Sequence, residues 1–392
     1  MVDRVAIVGG GITGLALAWE LTRRGIGDVT VLEAAYTGAG GSGRNVGRIR
    51  AMQLTPELAT FMRAARDKHE RLRDELGLNT LFWRAGYAWL LYEPDEVERM
   101  AEVHATLRGL GIVCELLDGR RTIARFPVLR DGEPPLGALF GPEAIVHHDA
   151  CVYAYRKACL RAGVRLREGT RVVSVLRRGD RVEGVGLEDG ELDADVVVNA
   201  AGGWARELSA LAGLRVPNAP VRREVLVTEP SKPFMSAAIT FYRPSEGWFN
   251  QTLRGELVAG VVDPAEPVGL NHRSSFAFLR RTASILCRKA PRLARLRVIR
   301  QWAGVYDMTS DRNPLVGPVP GLAGFVQANG YSGRGFAQAP LVAELLARWI
   351  VEGERPGALA PFDPGRFGNL PEGASPGGGP DYYAVYGWKD DR

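Results

Sequence analysis

Residues 5–25, VAIVGGGITGLALAWELTRRG, decide how this chain is read. Arg4–Val8, RVAIV, is β-branched and apolar and stops at glycine, which predicts a strand buried on both faces. Gly9, Gly11 and Gly14 then supply G-x-G-x-x-G. The first glycine permits the tight turn, the second lets the backbone approach a pyrophosphate, and the third lets helix and strand pack closely. Ile12 and Thr13 fall where the helix begins, so unpaired N–H groups and a partial positive charge face the phosphates. The next strand, DVTVLEA, places Glu33 about 20 residues on, where a carboxylate holds ribose hydroxyls, with Ala34 beside it. Glu33 would repel a 2′-phosphate and so disfavours NADP. In a chain with 48 glycines the motif alone is weak. The dinucleotide reading rests on strand, loop, helix and acid arriving in that order.

Downstream of Glu33, a nicotinamide dehydrogenase would proceed to another βα unit. Here AAYTGAGGSGRNVGRIRAMQL follows, a loop rich in glycine and arginine that can thread beneath a long cofactor. Gly41, Ser42, Asn45, Val46, Gly47 and Arg48 are its candidate contacts. A second glycine-rich stretch, GYSGRGF at 330–336, follows the short strand GFVQANG and leads into LVAELLARWI, a helix expected to begin near Ala337. Taken alone, it is either a ligand-facing loop or a turn that merely packs strand on helix.

The 392 residues exceed one usual domain, so two are expected. Net charge is +5, but acids are interspersed with the arginines almost everywhere and no basic stripe stands out. A nucleic-acid partner is therefore not expected. Cys114, Cys151, Cys159 and Cys287 show no CxxC or metal-ligand spacing and read as small core residues of a reducing compartment, with no metal. The opening MVDRVAIVGGG has too short an apolar run for a secretory core, and no segment approaches a membrane span, so the expected location is cytoplasmic.

Together, VAIVGGGITGLALAWELTRRG, VTVLEA, GGSGRNVGRIR and GYSGRGF resemble the flavin-dependent D-amino-acid oxidase and sarcosine oxidase superfamily. The likeness covers roughly residues 4–355 and is strongest at the two ends. It looks closest to the sarcosine oxidase β-subunit-like branch, with proline and hydroxyproline dehydrogenases nearby. The resemblance implies an α/β FAD-binding, Rossmann-like domain of the glutathione-reductase type with an inserted α+β substrate domain on an antiparallel sheet. The FAD domain is expected at 1–80, 143–215 and 300–360. The substrate domain is expected at 81–142 and 216–299, where LFWRAGYAWLLY, PVRREVLVTEP and AITFYRPSEGWFNQTLRGELVAGVV have strand-like alternation. Residues 361–392 read as a Gly/Pro linker with an aromatic tail, free to dock on its own body, a second copy or a partner.

HHDACVYAYRKACLRAGVRLREGTRVVSV reads as a cap at Asp149, a helix, and a strand from Arg171 through Val175, and the resemblance sets Val173 near the adenine. VVVNAAGGW reads as a buried strand breaking at Ala200, Ala201 and Gly202 into a helix. Trp204, just inside that helix, is either a cover over the cofactor or a core tryptophan.

In this superfamily a substrate carbon gives hydride to the flavin and the resulting imine is hydrolysed. The resemblance therefore implies a small amino-acid substrate, sarcosine or a related secondary amine first, with oxygen or another electron acceptor. Gly330, Tyr331, Ser332, Gly333, Arg334, Gly335 and Phe336 would lie against the flavin ring, where amides and a helix dipole favour its reduced anion. Arg50 matches the arginine that pairs with the substrate carboxylate, a task suited to a planar guanidinium fork, and Arg48 is the alternative. Trp248 or Tyr242 would form the aromatic wall opposite the flavin, or else pack the core. Arg334 would contact flavin or substrate. Monomeric sarcosine oxidase attaches its flavin through a cysteine before a YTMTPD-like stretch. Here AGVYDMTSDRNP has Gly304 in that place, so FAD is expected without that covalent link. In the same relative a lysine that helps bind the carboxylate falls at Ala337 and the oxygen-activating lysine aligns with Val258, and the loss of a cation beside the flavin puts rapid reaction with oxygen in doubt. FMN is expected only if the chain works in a heteromeric complex, with His147 or His148 as its attachment or as helix-capping surface residues. A non-catalytic flavin-binding subunit, with partner subunits or a second copy, is the remaining reading.

Overall fold

Arg4–Val8 forms the middle of a six-stranded sheet in the computed structural model, which describes residues 2–367. The strand order is Leu315–Pro318, Phe325–Asn329, Val196–Asn199, Arg4–Val8, Asp28–Leu32, Arg165–Arg167. All neighbours are parallel except the first two. Alternate residues of the central strand serve opposite faces. Val5 and Ile7 join the core under helices Ile12–Arg23, His148–Arg161 and Gly335–Glu352, while Ala6 joins the core shared with a three-stranded antiparallel sheet. That small sheet, Val172–Arg178, Arg181–Leu187 and Gly190–Asp193, extends the strand expected at Arg171–Val175.

A 21-residue helix, Pro56–Leu76, also packs on the first layer through Phe61, Met62 and Leu72. Its boundaries follow from local chemistry: the Thr55 side chain accepts from the Leu58 amide, Pro56 opens the helix, and Gly77 closes it in the left-handed conformation.

The second layer is an eight-stranded sheet in the order Val298–Met308, Ala219–Pro230, Glu256–Val261, Gly247–Gln251, Ala238–Phe241, Tyr87–Leu91, Gly137–Gly141, Glu115–Asp118. It is antiparallel except where Ala238–Phe241 runs parallel to Tyr87–Leu91, the seam between its two sequence segments. Helix Phe276–Lys289 covers one face through Phe278 and Leu286, and helix Pro94–Gly109 covers the other through Met100, Val103 and Leu107.

Three expectations need correction. Val298–Met308, expected mostly with the cofactor domain, pairs along its whole length with Ala219–Pro230, so the antiparallel sheet continues past residue 300. The tail does not begin at 361: Gly357–Phe362 and Pro364–Phe367 are 3-10 turns, and buried Phe362 stacks edge-on against Phe61 at 4.9 Å. The linker and aromatic cluster from 368 onward lie outside the described residues. The helix expected to be capped by Asp149 has its N-cap position two residues earlier, at His147, whose side chain makes no capping bond, and Asp149 lies in the first turn. All four cysteines are free thiols, Cys151 and Cys159 buried. Among the described residues, no helix is long and apolar enough to cross a membrane.

Candidate active site

At the carboxyl ends of the parallel strands, where this class of sheet binds ligands, lies a cavity of about 820 Å³. Two helix N-termini reach it, those of Ile12–Arg23 and Gly335–Glu352. Neither is capped by the side chain of its own N-cap residue, and neither has an acid in its first turn. Such ends leave amides and dipole charge available to an anionic ligand.

The first end is held by close packing. Gly9 has φ +119°, and a Cβ there would lie 2.3 Å from the Ala200 carbonyl oxygen; one on Gly14 would lie 2.0 Å from the Gly9 carbonyl oxygen. Glu33 accepts from the amides of Gly10 and Ala35, both at 2.8 Å, which fixes its carboxylate at the cavity rim with lone pairs to spare. Ser42 reaches over to accept from the Ile12 amide at 2.9 Å, pinning the glycine- and arginine-rich loop to the helix start.

The second end is braced from two sides. Asp307 accepts from the Gly330 amide and from Asn218 Nδ2, its carboxyl pushed up to about 7 by burial. His69 stacks on Phe336 and donates from Nε2 to the Phe336 carbonyl at 3.1 Å. Burial pulls the His69 imidazole down to about 4. Gly333 has φ +87° and stands over the Tyr306 ring, which a Cβ would meet at 2.4 Å.

Of the residues singled out in the sequence, Gly9, Gly11, Ile12, Thr13, Glu33, Ala34, Gly41, Ser42, Asn45, Val46, Gly47, Arg48, Val173, Ala201, Gly202, Trp204 and Gly304 all line this cavity. So do Arg50, Trp248, Tyr331, Ser332, Gly333, Arg334, Gly335 and Phe336. Others stand elsewhere. Gly14 packs helix against turn, and the Gly330 amide is engaged by Asp307. Tyr242 does not line the cavity; it is 2% exposed and packs against Trp89 at 5.6 Å, the core role. Trp204 is the residue before helix Ala205–Leu211, 40% exposed and stacked on His272 at 5.3 Å, so it is no core tryptophan. His147 and His148 stack on each other at 5.4 Å and neither lines the cavity. Val258 is buried in the antiparallel sheet, away from the lining, whereas Ala337 is part of it.

Facing the glycine loops, Arg48, Arg50, Trp248 and Arg334, named from the sequence, are joined by Arg223, Arg312 and Glu246, which motifs did not reveal. Arg50 donates to the Tyr87 hydroxyl at 2.9 Å and lies 4.6 Å from the Trp89 ring centre. Arg48 donates twice to Asn250 Oδ1, at 3.1 and 2.9 Å, and stacks over Trp248 at 4.4 Å. Arg223 stacks on Tyr306 at 5.5 Å, and Arg334 donates to the Arg312 carbonyl. Among them Glu246, open to the cavity but shielded from bulk water, has its carboxyl pushed up by burial and drawn back down by Arg312, Arg223, Arg50 and Arg48. One sequence signal for this group existed: Arg223 shares strand parity with buried Val221 and Val225, a charge on an otherwise apolar face.

The FAD-dependent oxidoreductase family, DAO, matches residues 4–349. Sarcosine oxidase subunit beta of Rhodobacter capsulatus is 30% identical over 358 residues, covering 87% of this chain and 84% of that protein. Among solved structures, L-proline dehydrogenase from P. horikoshii superposes with a TM-score of 0.86 at 27% identity, covering 93% of this chain and 98% of that one. Glycine oxidase from Geobacillus kaustophilus gives 0.82 at 25% identity, with 92% and 98% covered.

Proposed function

The chain belongs to the DAO family of FAD-dependent oxidoreductases, and on that premise we propose that it oxidises the C–N bond of a small amino acid, sarcosine or a related secondary amine first. FAD is the cofactor, and the lining fits it: a helix start with a glycine turn for the pyrophosphate, Glu33 for the ribose, and a second helix start, without an acid in its first turn, for the ring. When bound, FAD accepts a hydride equivalent from the carbon beside the substrate nitrogen. The protein's own groups do the positioning. Arg50, oriented by Tyr87, grips the carboxylate through two N–H groups, and Trp248, backed by Arg48, limits how the amine can tilt. As the C–H bond breaks, the nitrogen lone pair forms C=N and the nitrogen gives up a proton. Water then cleaves the imine to a carbonyl compound and a smaller amine.

The observation carrying this reading is that one cavity joins both helix starts to the Arg50–Tyr87 pair. Anaerobic mixing of the flavin-loaded enzyme with sarcosine, L-proline, glycine and D-alanine tests it. Bleaching of the flavin absorbance by one of them is expected. Silence with all four would favour a flavin-binding subunit without its own chemistry. Ala337, a cavity position where monomeric sarcosine oxidase has a lysine, leaves that helix start without a cation and supports a dehydrogenase passing electrons to a partner subunit or small acceptor, so dye reduction should outpace oxygen consumption in parallel assays.

A further inference from the structure

We infer that the end of the eight-stranded sheet around Ile299 is the docking face for an acidic electron-transfer protein, a reading that rests on the dehydrogenase proposed above. Acids accompany the arginines along most of the chain, but residues 267–306 hold eight arginines and one lysine with no aspartate or glutamate. The fold sets the last of these arginines beside two other segments of the sheet. Strand Val298–Met308 begins where Ala219–Pro230 ends, Pro230 pairs with Glu256 on the next strand, and the turn 252–255 closes beside it. Neighbouring strands lie about 4.8 Å apart, so these ends share one small surface. Lys232, Arg254, Arg295, Arg297 and Arg300 are all exposed there, against two carboxylates. Those are Glu229, 3.3 Å from Arg297, and Glu256, 3.1 Å from Arg254. Lys232, Arg295 and Arg300 form no ion pair among the described residues.

Aliphatic side chains stand among these charges. The register shifts where Val227 and Thr228 face Arg300 and Val298, which leaves Ile299 with no residue opposite it. Such a bulge re-aims a side chain. Ile299 is 63% exposed, Val298 beside it 38%, and Leu253 on the neighbouring turn 65%. Arginines that only kept an edge strand from pairing would need no exposed aliphatic side chains among them. An apolar centre inside a charged rim is how one protein surface meets another, and a patch this small fits the brief encounter of redox partners.

The same strand leads inward to the cofactor cavity. Gly304, five residues past Ile299, lines that cavity, a reach of at most about 17 Å along a strand. Trp302 lies between them. Arg300 stands 5.6 Å from its ring centre, and its Nε1 donates to the carbonyl of Arg44, a cavity-lining residue, at 3.0 Å. An acidic carrier is drawn to this face by the surplus charge and comes to rest beside the wall of the flavin site. The reduced flavin's two electrons then leave one at a time, each to a one-electron centre of the carrier, and its N5 hydrogen leaves to water as a proton.

The test uses flavin-loaded full-length protein and two ferric haem proteins of opposite charge, acidic cytochrome b5 and basic cytochrome c. In low salt, calorimetry should show the oxidised enzyme binding cytochrome b5 at least about tenfold more tightly than cytochrome c. Enzyme reduced with dithionite and freed of it should pass electrons to cytochrome b5 faster by a similar factor. Both preferences should vanish at about 1 M salt, where screening acts within about 3 Å. Combining Arg295→Glu, Arg297→Glu and Arg300→Glu should abolish them in low salt and leave bleaching of the flavin by an amine unchanged. Equal binding of the two haem proteins, or a variant that treats cytochrome b5 as the unmodified protein does, overturns the inference. So does capture of the unmodified protein, but not the variant, by phosphatidylglycerol vesicles when cytochrome b5 is not bound, since a lipid surface is then the occupant. Dithionite supplies the electrons, so the outcome is separate from the amine chemistry. If cytochrome b5 is preferred yet no amine bleaches the flavin, the proposed oxidation fails and the docking face stands.

Discussion

The two parts of the cavity are built from different materials. Where the glycine loops lie, the working groups are backbone amides at two helix starts, with few side chains needed. Where Glu246 lies, they are guanidiniums and aromatic rings delivered by strands far apart in the chain. An amide site depends on backbone path and tolerates almost no added atom. A guanidinium site depends on charge and can lose one group while the fold stands.

The difference can be broken by mutation. Gly9→Ala should have the largest effect, because its Cβ would meet the Ala200 carbonyl at 2.3 Å in a backbone conformation that L-residues resist. The purified variant is expected to retain no FAD, read as loss of flavin absorbance after desalting; a fully loaded variant would overturn the account of this loop. Acid should come next, through the second loop. The folded-state pKa of His69, about 4, lies below the ordinary value of 6.5, so the unfolded chain binds the extra proton first. The stabilisation is present above pH 6.5 and is lost as pH falls toward 4, by up to about 3 kcal/mol. His69→Gln should flatten that part of the unfolding free energy plotted against pH, and an unchanged slope would remove His69 from the explanation. Arg50→Gln should have the smallest of the three effects. It should keep its FAD and lower kcat/KM about a hundredfold, near 2.7 kcal/mol, the scale of one charge-assisted contact. If it proved colourless instead, the division between the two building materials would not hold.

The same contrast explains what could be read from sequence. Gly9, Gly11 and Glu33 are legible because a backbone cradle fixes residue type and spacing within one βαβ unit. Arg50 and Trp248 were reached through resemblance and line the cavity, whereas Tyr242, six residues from Trp248, went into the core. Its strand neighbours gave no sign of which face it would take once the chain left the strand at Phe241. Glu246, Arg312 and Asn250 were missed because none belongs to a local pattern, and Arg223 because its one signal, a charge in register with Val221 and Val225, says nothing of what it faces; only the pairing of strands brings them together. The strand Val298–Met308 was misassigned for a similar reason, since its partner lies almost eighty residues earlier.

The parallel seam between Ala238–Phe241 and Tyr87–Leu91 bears on how the molecule is made. Strand Tyr87–Leu91 is fully buried in the finished protein, with Trp89 and Leu90 each 1% exposed, yet one of its edges has no mate until residue 241 has left the ribosome. For more than a third of translation, an apolar ribbon must wait uncovered on that side. An unpaired strand edge is a template for pairing with other chains, so aggregation is the hazard of that stage.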